Sequence, residues 1–231
     1  MGSPLLVTYS YQFQNGDSWS HSVDVNRARN ASATVPASAP EWARLGFHRC
    51  ENCPLSEDRC SHCPPAVDSA PILERFASIP SIAPVRVTVT TSERTCIRET
   101  DAQLGLKALL GVVMATSACP ILVQLRSQAL FHLPFASVDE TLYRAVGDYL
   151  IKQYFAMKDG KQPDFDLAGL DRLYRDLATL NIAFFNRIQA SSPNDANVNA
   201  IVTFRSMSDI VSMSLDDRLS PLREAMQELG A

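Results

Sequence analysis

Four cysteines in the first third of the chain form two closely spaced pairs, Cys50-x2-Cys53 and Cys60-x2-Cys63. Two residues between cysteines allow both thiolates of a pair to face one metal ion, and two such pairs can close a tetrahedral site of the kind that structural zinc prefers. The spacing therefore predicts a zinc site with the ligands Cys50, Cys53, Cys60 and Cys63, in which the metal mainly supports the fold.

Other readings of this cluster stay open. His48 and His62 lie beside the cysteines, so a site of three cysteines and one of these histidines is an alternative. Four thiolates can also hold an iron–sulfur cluster. A Cys-x2-Cys pair can act as a redox switch, because that arrangement lowers a thiol pKa.

A second group of residues suits nucleophilic chemistry. Cys119 precedes a proline, His132 follows within a short distance, and Glu140 comes shortly after it. A cysteine and a histidine at neighbouring helix ends can form a nucleophile and its base, with a carboxylate to orient the histidine. The alternative to a metal-binding role is therefore an enzyme or a thiol-based redox sensor that uses Cys119 and His132. The simpler interpretation is a buried thiol and a histidine bonded to backbone.

Composition narrows the class of protein. The chain has 231 residues, 46% of them hydrophobic and 20% charged, with a net charge of −4, which is typical of a globular protein. Residues 41–63 hold three arginines and four acids, so a nucleic-acid partner is not expected. No stretch predicts a signal peptide or a membrane span. We therefore expect a cytoplasmic protein, whose cysteines are thiols or metal ligands rather than disulfides.

The first part of the chain, residues 1–101, predicts an α+β module. Asn15-Gly16 between two β-prone runs indicates a hairpin with a type I′ turn, and a second hairpin turns near residues 92–94. A short helix is expected over 66–77, with Pro71 near its start. The metal knuckle occupies residues 48–65 of this module.

The second part, residues 102–231, has helical periodicity and predicts an all-helical bundle. Ser137 and Glu140 form a capping-box pattern at the start of one helix, and Arg144 stands four residues after Glu140 in a favourable order for an ion pair. The expected helices cover 102–117, 121–131, 138–157, 166–189, 196–213 and a last one from 220. The fold class is thus α+β, with antiparallel hairpins followed by a helical bundle.

Four motifs together resemble an uncharacterised family of bacterial proteins. They are Phe47-His-Arg-Cys-Glu-Asn-Cys-Pro-Leu55, His62-Cys-Pro, Met114-Ala-Thr-Ser-Ala-Cys-Pro120 and Phe131-His-Leu-Pro-Phe-Ala-Ser137. The resemblance is strongest at His48, Cys50, Cys53, Cys63, Cys119 and His132 and weakest at Cys60. It implies a site of Cys50, Cys53 and Cys63 with one of Cys60, His48 or His62, and it implies no function.

These observations together predict a metal-binding bacterial protein of the cytoplasm. Zinc is the expected metal and an iron–sulfur cluster its alternative. The helical part is expected to bind a partner protein or a small ligand. Its apolar character is also compatible with a homodimer.

Overall fold

The computed structural model describes residues 5–28, 35–191, 197–199, 219–220, 223–224 and 226–227. Its amino-terminal part is one antiparallel sheet, in which the strands lie in the order β2-β1-β3-β4. Both predicted hairpins are confirmed, and pairing of β1 with β3 joins them. The strands are β1 (Leu6–Phe13), β2 (Ser18–Asp24), β3 (Pro84–Thr90) and β4 (Thr95–Asp101).

The turn of the first hairpin differs from the predicted type I′. Such a turn needs two residues with positive φ, but among the turn residues only Gly16 has one, at +87°. Phe13 N–H donates to Asp17 O at 2.9 Å, and Gly16 N–H donates to Phe13 O at 3.0 Å. The connection is therefore a three-residue loop that ends in a left-handed glycine.

Five α-helices follow or interrupt the sheet between residues 64 and 191. Pro64 and Pro65 open the first of them, and Pro71 lies in its middle, whereas the sequence predicts it near the start. The predicted helix over 121–131 is a 3-10 turn, Leu122–Leu125, followed by one short helix. The helices are α1 (Pro64–Phe76), α2 (Ala102–Ala115), α3 (Arg126–Leu130), α4 (Val138–Lys158) and α5 (Ala168–Ser191).

Two predicted helices, over 196–213 and from 220, fall mostly outside the described residues. The few residues described there are helical, among them 197–199. The predicted capping box is confirmed at the start of α4, where Glu140 N–H donates to Ser137 Oγ at 3.1 Å and Ser137 N–H donates to Glu140 Oε2 at 2.7 Å. Within the described part of the chain, no helix has the length and apolar character to cross a membrane.

One face of the sheet packs on helices, and the buried side chains of both parts form one continuous core. The fold is α+β, because the sheet is antiparallel and most of the helices follow it in the chain. Tyr9 and Tyr11 project from β1 into this core, and their hydroxyls donate to Ala108 O and Gly105 O of α2, each at 2.9 Å. A Cβ at Gly105 would stand 3.0 Å from both Tyr11 Cε1 and Val87 Cγ2. Glycine at this position therefore allows α2 to lie close against the sheet.

Candidate functional site

The cysteine loop, residues 44–63, folds back on itself before it enters α1. Leu45 N–H donates to Ser61 O at 2.9 Å, and Cys63 N–H donates to Ala43 O at 2.8 Å. These backbone bonds fasten the two ends of the loop together and place Cys63 at its base, as the N-cap of α1. The loop therefore holds its cysteines by hydrogen bonds between its own ends.

The two cysteine pairs do not behave alike. Cys50, Cys53 and Cys63 line one small cavity of about 20 Å³, and the fourth cysteine that lines it is Cys119. Cys60 is buried but is not among the lining residues, and its thiol donates to His62 O at 2.9 Å. The structure thus brings three of the four predicted ligands together and adds Cys119 in place of Cys60.

Cys119 reaches this cavity because α2 ends abruptly beside it. The Ser117 hydroxyl donates to Met114 O at 2.7 Å, and Cys119 N–H donates to Ser117 Oγ at 3.4 Å. The next turn starts at once, since Val123 N–H donates to Cys119 O at 3.0 Å. Cys119 is 7% exposed, so its thiol belongs to the core and faces the cysteine loop.

A buried arginine completes this cavity. Arg187 of α5 is 2% exposed, and it also lines the cavity. Its guanidinium donates to Trp42 O, to Arg44 O at 2.7 Å and to Leu45 O at 3.4 Å. It also lies 5.9 Å from the centre of the Phe47 ring. Arg187 therefore anchors the start of the cysteine loop to α5.

The charge of Arg187 has no carboxylate partner among the described residues. The groups that interact with it electrostatically are the thiols of Cys63, Cys50 and Cys53. Burial lowers the pKa of this guanidinium, and the thiols act in the opposite direction. A buried cation is costly without an anion nearby, so Arg187 stabilises the thiolate forms of the cysteines beside it and opposes the effect of burial on them.

Burial has the opposite effect on the thiols themselves. Loss of solvent raises the pKa of Cys50 to about 11 and that of Cys63 to about 12, and it raises the pKa of Cys119 as well. Neighbouring cysteines add to the rise, while Arg187 opposes it at Cys50 and Cys63. Among the described residues Arg187 is the cation beside these cysteines, and its charge does not offset the effect of burial. The thiols of Cys50, Cys63 and Cys119 therefore hold their protons at neutral pH.

The four thiols share a cavity but do not form a closed ligand set. Within the part of the chain that the structure describes, no group of three or more His, Cys, Asp or Glu side chains is placed to hold a metal ion. The two histidines predicted as alternative ligands do not line the cavity. His48 is exposed and packs edge-on against Phe47, and His62 Nδ1 lies 2.9 Å from Ser61 Oγ.

The predicted nucleophile and base are not brought together. Cys119 lines the cysteine cavity, whereas His132 and Glu140 line a separate and larger one. The carboxylate of Glu140 accepts from Ser137 N–H in the capping box, so it does not orient His132. No electrostatic contact links Cys119 with His132. The geometry of these described residues therefore offers no Cys–His pair.

His132 has a structural partner instead. The single proton of the Tyr9 hydroxyl is donated to Ala108 O, so His132 Nε2–H donates to Tyr9 Oη at 2.6 Å. This assigns the tautomer and leaves Nδ1 unprotonated. Burial, and then the charge of Arg144, lower the pKa of His132 to about 4. The imidazole is thus neutral at physiological pH.

The larger cavity has a volume of about 640 Å³ and lies among α2, α3 with the 3-10 turn before it, the segment 132–137, α4 and α5, with Arg98 of β4 also in its lining. Its lining is mostly apolar, and it includes the cations Arg98, Lys107 and Arg144. The expected ion pair between Glu140 and Arg144 does not form between these two described residues. The guanidinium of Arg144 donates instead to Gln128 O at 2.7 Å and to Phe131 O at 3.2 Å.

Sequence reasoning missed Cys119 as a member of the metal group and missed Arg187 altogether. One signal was present for the cysteine: Cys119 is followed directly by proline, as are Cys53 and Cys63, whereas Cys50 and Cys60 are not. Arg187 also carried a signal, because it stands three residues after buried Phe184 and thus on the apolar side of its helix.

Comparison with known proteins places the chain in an uncharacterised family. No curated protein and no solved structure matched the chain. The profile of one protein family, described as "Domain of unknown function (DUF6901)", matches residues 7–227. That span includes the sheet apart from Leu6, the cysteine loop, Cys119, Arg187 and the larger cavity. The chain therefore belongs to the family Domain of unknown function (DUF6901).

Proposed function

We propose that this protein binds one metal ion, zinc, through the thiolates of Cys50, Cys53, Cys63 and Cys119. The observation that supports it is the convergence of four thiols from three separate segments on one small cavity. Buried cysteines are common singly, but four around one cavity match the donor number and type of a structural zinc site. Cys60 is left out of this set.

The role proposed for the metal is structural. The cysteine loop has few backbone bonds to the rest of the described chain beyond its two ends. A metal held by Cys50, Cys53, Cys63 and Cys119 would fasten this loop to α1 and to the end of α2. Binding would draw the sulfurs inward and displace the protons of the thiols. Because metal ligation occurs only in the folded chain, its free energy would add directly to folding.

Charge and volume favour one zinc ion over an iron–sulfur cluster. Four thiolates around Zn²⁺ carry a net charge of −2, which Arg187 partly neutralises from its place in the cavity wall. The cavity of about 20 Å³ has room for about one water molecule. A cluster of several irons and sulfides would require the loop to move outward, whereas a single ion would require the sulfurs to close in.

The redox and enzymatic alternatives have less support. Reactive cysteines have a lowered pKa and are partly exposed, but burial raises the pKa of Cys50, Cys63 and Cys119. The enzymatic alternative needs a base beside Cys119, and His132 lies in another cavity. The expected setting, the reducing cytoplasm of a bacterium, suits thiolate ligands and is part of the same proposal.

Elemental analysis of the untagged protein tests this proposal. Protein purified without chelator or added metal is expected to carry about one zinc per chain and to have no visible absorption. The double variant Cys50→Ser/Cys53→Ser, purified in parallel, gives the background. Iron with a visible spectrum would replace the zinc assignment with a cluster. Reduced protein with no metal above background would overturn metal binding.

A further inference from the structure

The larger cavity has the dimensions of a site for a small organic molecule. Ligand sites in proteins usually have volumes of about 300–1,000 Å³ and mostly apolar walls with a few polar groups, and this cavity has a volume of about 640 Å³. Side chains such as Leu104, Val112, Leu125 and Leu177 supply the apolar wall. The cavity is separate from the four cysteines, so a ligand bound in it would not depend on the metal.

Positive charge is a feature of the lining of this cavity. Arg98 and Lys107 both line it, and each carries no ion pair among the described residues. Arg98 lies over the Phe135 ring, 5.6 Å from its centre, and donates to Phe135 O at 3.4 Å. The remaining N–H groups of this guanidinium are available to a ligand.

Lys107 is the least satisfied of these cations. Among the described residues no hydrogen bond or ion pair engages its ammonium group, although the side chain is half-buried on α2. Loss of solvent lowers its pKa, and repulsion from Arg98 lowers it further. Two cations that repel each other at one cavity wall, with no described carboxylate between them, create a place where an anion is stabilised.

The other charges that face the cavity are already engaged. The guanidinium of Arg144 donates hydrogen bonds to the carbonyls of Gln128 and Phe131. Glu140 is the carboxylate among the described residues that line the cavity. It accepts a hydrogen bond from the Ser137 amide at the start of α4. His132 is neutral and bonded to Tyr9. The charged groups of the cavity that remain available to a ligand are therefore the two cations Arg98 and Lys107.

We propose that this cavity binds an apolar monocarboxylate, a fatty-acid-like molecule. Its carboxylate would lie between Arg98 and Lys107, and its chain would run along the apolar wall formed by α2 and α5. The planar guanidinium of Arg98 matches a carboxylate in geometry, and the ammonium of Lys107 adds a charge-assisted hydrogen bond. The apolar chain gains by leaving water.

Calorimetric titration of the protein, as purified, with decanoate tests the proposal, with decanol and decylammonium as neutral and cationic matches in shape. Decanoate is expected to bind saturably with one site per chain, decanol about tenfold or more weakly, and decylammonium not at all. Added salt is expected to weaken decanoate binding and leave decanol binding unchanged.

Two variants and one control separate the effect of charge from that of cavity volume. Lys107→Met retains an apolar stem but removes the charge, so it should weaken decanoate binding about tenfold and leave decanol binding unchanged. Lys161→Met, at an exposed lysine outside the cavity, is the matched control and should change neither. Ala108→Phe should fill part of the cavity and weaken both ligands, with thermal unfolding used to check that it folds.

Three other outcomes would count against the proposal. Absence of saturable decanoate binding to the wild-type protein would remove the site. Equal binding of decanoate and decanol, or no effect of Lys107→Met, would leave an apolar cavity without anion recognition. Binding of decyl phosphate in place of decanoate would show that the carboxylate is the wrong anion. None of these results bears on the zinc content, so failure here is distinguishable from failure of the metal proposal.

Discussion

Replacing Cys119 with serine should empty the metal site, whereas replacing Cys60 with serine should leave it filled. A neutral serine hydroxyl is a poor zinc ligand compared with a thiolate. The variant Cys119→Ser therefore leaves three of the four ligands, and the tetrahedral site is no longer closed. We expect less than about 0.3 zinc per chain in Cys119→Ser and about one in Cys60→Ser. Native mass spectrometry of the folded proteins counts the bound metal directly.

The two variants are well matched, because both change a buried thiol to a hydroxyl of nearly the same size. In Cys60→Ser the hydroxyl can still donate to His62 O, so the local backbone should be undisturbed. Cys96→Ser, in β4 and outside the cavity, controls for general loss of a cysteine. The opposite ranking, with zinc lost in Cys60→Ser and kept in Cys119→Ser, would restore the ligand set predicted from the sequence.

Replacing Arg187 with methionine should destabilise the protein by about 3–5 kcal/mol, as removal of one partner from a buried charge cluster does. The carbonyls of Trp42, Arg44 and Leu45 would lose the donor that the buried guanidinium supplies to them. The thiolates would also lose the cation in their cavity wall. Urea unfolding of the zinc-loaded protein measures the change.

Two companion variants separate charge from geometry. Arg187→Lys keeps the charge, but its compact ammonium cannot reach three carbonyls with a planar fork, so an intermediate loss is expected. Arg175→Met removes an exposed arginine of the same helix, whose ion pair with Asp171 lies at the surface. It should cost less than about 1 kcal/mol. A loss below about 1 kcal/mol for Arg187→Met would contradict the anchoring role.

Local features of the fold were predictable because they depend on neighbouring residues. Alternating β-branched residues marked the strands, and the Asn15-Gly16 step marked the first hairpin. The capping box of Ser137 and Glu140 fixed the start of α4. The type of the first turn was not predictable from Asn15-Gly16 alone. The same two residues also fit a longer loop in which only the glycine is left-handed.

Features that depend on distant contacts were not predictable. Spacing alone grouped Cys60 with Cys63, because a separation of two residues suffices for shared ligation. The structure separates them, since the fastened ends of the loop direct Cys63 to the cavity and the Cys60 thiol to a backbone carbonyl. Cys119 comes 56 residues after Cys63 in the chain. Only the packing of the end of α2 against the loop brings it into the group.

The larger cavity illustrates the same limit. Its cations come from β4, α2 and α4, and each alone resembles an ordinary surface charge in the sequence. The favourable spacing of Glu140 and Arg144 even predicted an ion pair. In the fold, capping of α4 engages Glu140, and carbonyls near the end of α3 engage Arg144. Competing local bonds thus decided which charges remained for a ligand.

X-ray absorption at the zinc edge of the metal-replete protein tests the central claim most directly, because it counts the atoms bound to the metal. The proposal predicts a single shell of four sulfur atoms at about 2.3 Å, with no light-atom shell. Cys60→Ser should give the same spectrum. A shell of nitrogen or oxygen at about 2.0–2.1 Å would contradict a site made of Cys50, Cys53, Cys63 and Cys119.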